Sequence, residues 1–596
     1  MESKQVLRFD SLDALRGRRS FLFADPIGEV VAWELGDVIP SLERLTRAVE
    51  RGAHAAGFIS YEAGPAFDRA LSARPPMPGL PLLWFRIHGS RVAADPRESL
   101  DSTAGTYELR QDEVTLTPAA YMERVSRIQE LIAAGDTYQV NFTFRIRGRF
   151  AGSPLALYRD LLLAQRSAFC AYVPFGESTL VSASPELFLR YRGREIELRP
   201  MKGTAPRGRW PEEDRQFAEA LRSSPKELAE NLMIVDLLRS DLGRVAEFGT
   251  VTTPALFETE RYPTVHQLTS TINGRLRKGT RPVDLFRALF PSGSVTGAPK
   301  VRTTQIIEAM EETPRGPYTG AIGFFGPDDG AFSVAIRTVL LDRRRGRFEL
   351  GVGSGITADS EPVDEFRECL SKAAFLHYRE PQFELLETLR LDVPGGYALL
   401  ERHLDRLRQS AIHFGFDLDP SAAREALAQL ANGHEEGRYK VRLLAGRDGE
   451  LRTEIERLCE QPTPLRLGIS TIPVDADDRF LYHKTTHRPI HERAMRDAAE
   501  WDDVILYNTR GEVTETTTAN LVLTFGDDRL TPPVESGLLP GTLRAELLEA
   551  GRIRQCDLTL QDLERASAIH LINSVRGWRP ASLTINNSAL PAEASR

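Results

Sequence analysis

Apolar and polar positions change period several times along the chain, and each change predicts an element. Short runs such as "SFLFAD" (20–25) and "LPLLWFRI" (80–87) read as strands, and "IPSLERLTRAVERGA" (39–53) as a helix. From Tyr121 the stretch "YMERVSRIQELIAAGD" gives an amphipathic helix that stops at Gly135–Asp136 and leads into the strand "TYQVNFTFRIRGRF". In "SPKELAENLMIVDLLRSDLGRV" apolar residues at 228, 232, 235 and 238 predict a buried helical face. Glu227 and Glu230, three apart on that helix, share a side. "SEPVDEFRECLSKAAF" repeats the device with Glu365 and Glu368, followed a turn later by Lys372. By contrast "LRPMKGTAPRG" (198–208), with two prolines and two glycines, predicts a rigid, turning loop.

After Pro381 a fresh strand, "FELLETLRLD", opens a second unit with its own pattern. "ERHLDRLRQSAIHFGF" gives a helix carrying Arg406, and "DDRFLYHKTTHRP" a short apolar strand ahead of Lys484. "GEVTETTTANLVL" sets Glu515 in a Thr-rich turn, and "LLPGTLRAELL" opens a helix at Gly541 and Thr542. The chain is therefore expected to divide into residues 1–379 (an N-terminal part, 1–115, and a motif-rich part, 116–379) and 380–596.

Composition makes the lysines conspicuous. Only eight of the 76 lysines and arginines are lysines: 4, 202, 226, 278, 300, 372, 440 and 484. An arginine cannot give up its proton, whereas a lysine amine can serve as nucleophile, base or Schiff-base former. Each surviving lysine is a candidate for amine chemistry, and Lys202, in a loop with no surface reason for a cation, is the first. A net charge of −8 and the lack of a basic, aromatic-studded stripe argue against nucleic acid. No signal-like N-terminus and no long apolar run is found, and four scattered cysteines without CxxC spacing fit a reducing cytoplasm. The expectation is a cytoplasmic protein without membrane attachment.

Carboxylates from two helices meeting at one point repel unless a cation intervenes, and hard oxygen ligands suit Mg²⁺. In the second unit a lysine, an acid and anchors for a phosphate occur together, which are the needs of pyridoxal phosphate.

The segments "SASPELFLR", "RPMKGT", "LAENLMIVDLLRSDLGRV", "TVHQLTSTI", "PSGSVTGAPKVRTTQIIE", "YTGAIGFFG", "FSVAIRT" and "GSGITADSEPVDEFRECLSKA" occur in this order over 182–373. Together they resemble the chorismate-utilising enzymes, with a weaker echo in "GFISYEAGPAFD". The resemblance implies an α+β fold, two large antiparallel sheets with helices. It implies Glu186 as general acid/base, Glu230 and Glu368 as Mg²⁺ ligands backed by Glu227 and Glu365, and Arg337 and Lys372 on substrate carboxylates. His266 is implied beside the C4 oxygen, with Gly293, Ser294, Thr296, Tyr318 and Gly353 completing the substrate site. Members that make aminodeoxychorismate carry lysine in the Pro-Ile-Lys-Gly-Thr motif, where anthranilate synthases have alanine; Lys202 matches the former. There the lysine is thought to attack ring carbon C2 as the C4 hydroxyl leaves, before ammonia adds at C4 and expels it. Water-using relatives place a lysine where this chain has Gln139. Ser292 and Ser240 depart from a usual glycine and asparagine. No glutaminase cysteine motif accompanies these segments, so a separate glutamine amidotransferase is the implied ammonia source.

The ordered pieces over 383–580 resemble fold-type IV pyridoxal-phosphate enzymes, a two-subdomain fold that includes aminotransferases and aminodeoxychorismate lyase. By that motif Lys484 would carry the cofactor, Glu515 would face its ring nitrogen, and Arg406, Gly541, Thr542 and the Thr516, Thr517, Thr518 turn would hold its phosphate. "NSVRG" (573–577) resembles the lyase version of a terminal loop. The combined expectation is conversion of chorismate and ammonia to p-aminobenzoate for folate, with a homodimer through the second domain. The alternative is a synthase subunit fused to a branched-chain or D-amino-acid aminotransferase.

Overall fold

The computed structural model of the chain describes residues 6–12, 20–95, 100, 105–497 and 500–583. Two compact units emerge: Met1–Pro206 with Ala218–Glu380, and Arg207–Phe217 with Pro381–Arg596. The second unit thus includes a short segment whose sequence neighbours all belong to the first.

Among the described residues the first unit holds two ten-stranded sheets. One is organised by the long strand Gln139–Gly152, antiparallel to Arg347–Ile356 with Val140 opposite Ile356 and Arg149 opposite Arg347. Its alternate residues Val140, Phe142, Phe144 and Ile146 share a core with Tyr121, Val125 and Ile128 of the helix Pro118–Ala133. Period-two and period-3.6 apolar patterns therefore meet in one layer.

The second sheet ends at Met201–Pro206, which pairs antiparallel with Val265–Arg275. The expected loop around Lys202 is instead an edge strand. Its register slips between Met201 and Thr204, and Gly203 sits at φ +96°. An edge position tolerates Pro206, which has no N–H to give, and the glycine takes the bulge without steric cost.

The helix Pro225–Gly243, capped by Ser224 accepting from Glu227 N–H, buries Asn231, Ile234, Val235, Leu238 and Leu242. Leu232, expected inside, is 43% exposed. The buried face is rotated from the expected one because Asn231 ties the helix to the sheet. Its Nδ2 donates to Lys202 O (3.1 Å) and Leu268 O (3.4 Å), and Ser270 Oγ donates to its Oδ1 (2.6 Å). That rotation keeps Glu227 and Glu230 beside the Lys202 strand.

The second unit contains two sheets among the described residues. A four-stranded antiparallel sheet built on Leu385–Val393 and Gly437–Ala445 packs its Leu385, Leu389, Val441 and Leu443 against Leu404, Leu407, Ala411 and Phe414 of the helix Leu400–Phe414. An eight-stranded mixed sheet sets Leu465–Ile469 parallel to both Asp503–Tyr507 and Gly577–Leu583. The α+β class and the large antiparallel sheets agree with the expectation. Two local expectations do not hold. A 3-10 turn, Arg479–Leu481, precedes Lys484 where a strand was expected, because the Asp478 side chain accepts from Phe480 N–H (2.9 Å) and closes the chain locally. Glu515 lies inside the strand Val513–Thr516, with the turn after it, as β-branched neighbours favour.

No helix among the described residues is long and apolar enough to cross a membrane.

Candidate active site

A cavity of about 200 Å³ in the first unit is lined by Glu186, Lys202, Glu227, Glu230, Ser294, Tyr318, Arg337, Gly353, Glu365, Glu368 and Lys372. These side chains come from both sheets and both carboxylate-bearing helices. His266, Gly293 and Thr296 do not line it. His266 is buried on its strand, opposite Ala205. The Thr296 hydroxyl is used locally, donating to Ser292 O at 2.9 Å. Gly293 serves close packing instead, since a Cβ there would fall 2.5 Å from Leu237 Cδ2.

Lys202 Nζ lies 3.1 Å from Glu230 Oε1, and Gln139 Nε2 donates to the same oxygen. A Cβ on Gly355 would meet Gln139 Nε2 at 2.1 Å and Lys202 Nζ at 2.9 Å, so only glycine leaves room for this triad. Burial pushes the Glu186 carboxyl up to about 7, against opposing help to its charged form from the Ser294 hydroxyl and Lys202. A carboxyl so poised exchanges protons near neutrality. Arg337 is held at φ +47°; its Nη1 donates to neutral Gln165 Oε1 (3.0 Å), and it makes no ion pair among the described residues. Burial lowers its pKa, so an anion placed beside it would relieve a real electrostatic cost.

Lys372 Nζ contacts Glu368 Oε1 at 2.6 Å and donates to Gly353 O at 3.1 Å. Burial is the largest single influence and disfavours both charges of this pair, yet Lys372 with Lys202 and Lys226 leaves the carboxyl lowered, and Glu368 with Cys369 and Tyr318 leaves the amine raised. Ser360 Oγ donates to Glu365 Oε1 at 2.7 Å. Glu227 is pushed up by burial and then by the charges of Glu230 and Glu368. No group of three His, Cys, Asp or Glu residues among the described ones stands ready-assembled around a metal position. The four glutamates nonetheless share one cavity, and Glu227 feels the charges of Glu230 and Glu368 in addition to its burial. This hard-oxygen donor set fits Mg²⁺.

In the second unit Lys484 is partly buried, and its amine is lowered to about 7 by burial and then by Arg488 and Arg406. Glu515 is buried, with Asn520 Nδ2 donating to its Oε2 and His491 Nε2 near its Oε1, both at 3.3 Å. Arg406 grips Glu387 through two bonds (2.8 and 2.7 Å) and donates to Pro540 O at 3.2 Å. His403 joins them, its Nδ1 2.6 Å from Glu387 Oε2 and its Nε2 3.2 Å from Thr542 Oγ1. Burial alone would raise Glu387, but Arg406 and His403 reverse this and hold it at about 2. Arg406 and Thr542 thus belong to one network, next to the N-terminus of the helix Thr542–Glu549 with Gly541 as its cap residue. The donor set of an amine, an acid and an anion-binding corner fits pyridoxal phosphate.

The threonine turn departs from its expected role. The hydroxyls of Thr516, Thr517 and Thr518 donate to the carboxylate of Asp503 at 2.9, 2.6 and 2.5 Å. Asp503 is 2% exposed, and a buried carboxylate takes the donors nearest to it. Sequence reasoning missed Asp503, Glu387 and His403. Glu387 was detectable as the charged residue on the face that Leu385, Leu389 and Leu391 otherwise make apolar in that strand; Asp503 carried no comparable signal.

A sequence model described as chorismate binding enzyme matches residues 11–378. The chain belongs to this family. A second model, described as amino-transferase class IV, matches residues 384–583. An aminodeoxychorismate synthase of Streptomyces griseus is 46% identical over 288 residues, 48% of this chain and 38% of the relative. An anthranilate synthase component 1 of Thermus thermophilus is 43% identical over 257 residues, 43% of this chain and 55% of the relative. The chain thus spans well under two thirds of these relatives' lengths. The solved anthranilate synthase component I of Streptococcus pneumoniae matches with a TM-score of 0.55 and 26% identity, over 61% of this chain and 93% of that one.

Proposed function

We propose that the chain converts chorismate and ammonia to 4-amino-4-deoxychorismate in its first unit, and eliminates pyruvate from that product in its second to leave p-aminobenzoate for folate. The observation that carries the reading is Lys202: a lysine amine in a carboxylate-lined cavity, where anthranilate-forming relatives of the family have alanine. Lys202 is the nucleophile toward ring carbon C2. Glu186, with its proton near neutrality, protonates the departing C4 hydroxyl. Arg337 and Lys372 bind the two substrate carboxylates, with Ser294, Tyr318 and Gly353 shaping the pocket. Glu230 and Glu368, backed by Glu227 and Glu365, would hold Mg²⁺ once Glu230 releases Lys202 and Glu368 releases Lys372. Ammonia comes from a separate glutamine amidotransferase.

In the second unit Lys484 takes a proton from the carbon bearing the new amine. Pyridoxal phosphate, when bound, supplies an electron sink for the charge this leaves. Glu515 would keep the ring nitrogen protonated, and Arg406, Thr542 and the Gly541 cap would hold the phosphate. Loss of pyruvate makes the product ring aromatic, which drives the step forward. No amino acceptor is consumed.

The relatives named anthranilate synthase favour a second reading, attack by ammonia at C2 to give anthranilate. One assay separates them: chorismate with ammonium, Mg²⁺ and pyridoxal phosphate, both aminobenzoates being measured. The reading expects p-aminobenzoate with equimolar pyruvate and no demand for a keto acid. Anthranilate as sole product, or a stoichiometric keto-acid requirement, overturns it. EDTA should stop chorismate consumption while supplied aminodeoxychorismate is still processed.

A further inference from the structure

The stretch that delivers Lys484 has little regular structure of its own; among the described residues, the one named element within 470–488 is the turn Arg479–Leu481. Contacts from elsewhere must fix it. On one side Leu386 N–H donates to Lys484 O, and Thr486 N–H to Glu384 O, each at 3.0 Å. On the other lies Arg207–Phe217, which belongs to this unit although it follows Lys202 by five residues in the sequence.

Trp210 lays its ring on that of Tyr482, centroids 5.0 Å apart and planes at 34°, and joins the apolar cluster of Val474, Leu481, Val504 and Leu506. The Arg209 guanidinium covers both rings at 4.8 and 5.8 Å and donates to Ala476 O at 3.2 Å. Arg207, clamped to Asp214 by bonds of 2.7 and 3.1 Å, donates to His413 O at 3.1 Å. The His413 ring faces His483 at 4.3 Å, and His483 Nδ1 pairs with Ser410 Oγ at 2.9 Å. Burial lowers the pKa of both imidazoles, so the guanidinium meets neutral rings. The segment's own turn is fixed as well: a Cβ on Gly208 would fall 2.0 Å from Asp214 N. Two consecutive residues, Tyr482 and His483, are therefore gripped immediately before the lysine.

We propose that Arg207, Arg209 and Trp210 are positioning residues for Lys484, fixing the Tyr482–His483 backbone from which its amine reaches the cofactor. The inference rests on Lys484 being the cofactor lysine. The test uses the full chain. Cofactor-free Trp210→Ala, Trp210→Phe and Arg207→Gln proteins are titrated with pyridoxal phosphate, and affinity and the pH midpoint of the visible band are read. Melting and far-UV circular dichroism identify any variant with a damaged fold. Trp210→Ala should weaken cofactor affinity about tenfold or more and move the midpoint, as loss of a supporting shell does. Trp210→Phe, which keeps an aromatic stack, should restore both, and Arg207→Gln should reproduce the shift if Trp210→Ala is unstable. Wild-type affinity and midpoint in folded Trp210→Ala and Arg207→Gln proteins overturn the proposal. Borohydride trapping followed by peptide mass mapping separates this from the underlying reading: label on a lysine other than Lys484 in the wild-type protein removes both.

Discussion

Lys202 and Lys484 are the same residue type in opposite electrostatic company. Lys202 stands among carboxylates, 3.1 Å from Glu230 and within the influence of Glu186. Lys484 is held down to about 7 chiefly by burial and then by the cations Arg488 and Arg406, against the opposing charges of Glu387 and Glu515. A carboxylate-lined cavity can hold an amine beside a metal and supply a proton to a departing hydroxyl. A partly buried amine on which cations weigh more than carboxylates is kept more readily in its free form. The chemistry open to a lysine thus depends on its burial and on the balance of charge around it.

The comparison breaks most sharply if the lysines prove exchangeable. Lys484→Ala should lose the second step by roughly 10³-fold or more, as removal of a general base does, with chorismate consumption intact and aminodeoxychorismate accumulating. Lys202→Ala should do the reverse, and p-aminobenzoate output from purified Lys202→Ala protein at the wild-type rate would end its covalent role. Next in size, Glu186→Gln should slow chorismate amination by about 10²–10⁴-fold without altering turnover of supplied aminodeoxychorismate. Gly355→Ala should cost the first step about 10²-fold, since its methyl displaces the amine it would touch; an unchanged kcat there would mean that Lys202 has freedom the packing denies.

The smallest effect is the most diagnostic. Glu186, raised to about 7, keeps its proton below that pH and loses it above. Lys484, lowered to about 7, is charged below and free above. Chorismate amination, normalised to free ammonia, should therefore fall as pH rises through about 7, while the rate of pyridoxal phosphate uptake by cofactor-free protein rises over the same window. Parallel profiles would mean that one of the two environments has been misjudged.

Much of this contrast was legible in the sequence, and the gaps have physical causes. Scarcity of lysine among arginines marked both amines, and Glu-x-x-Glu spacing on two helices brought four carboxylates to one cavity. The pattern failed where tertiary partners chose between near-equal options. The period of Pro225–Gly243 allows Leu232 inside or outside, and the bonds of Asn231 decide for outside. The glycines and prolines around Lys202 suit a loop or a bulged edge strand, and pairing with Val265–Arg275 selects the strand. The Thr-rich run offers its hydroxyls to any anion in reach; Asp503, a protein carboxylate from another strand, is the one that takes them.

Trp210 leaves the ribosome long before Tyr482, the ring it finally rests on. At about 5–20 residues per second the delay is on the order of tens of seconds. Throughout it, the Trp210 indole waits without the Tyr482 ring it finally stacks on, although Arg207 and Arg209 have Asp214 and Glu213 at hand within their own segment. Completion of the Lys484 site is therefore a late event of biosynthesis, dependent on a segment made early and kept accessible.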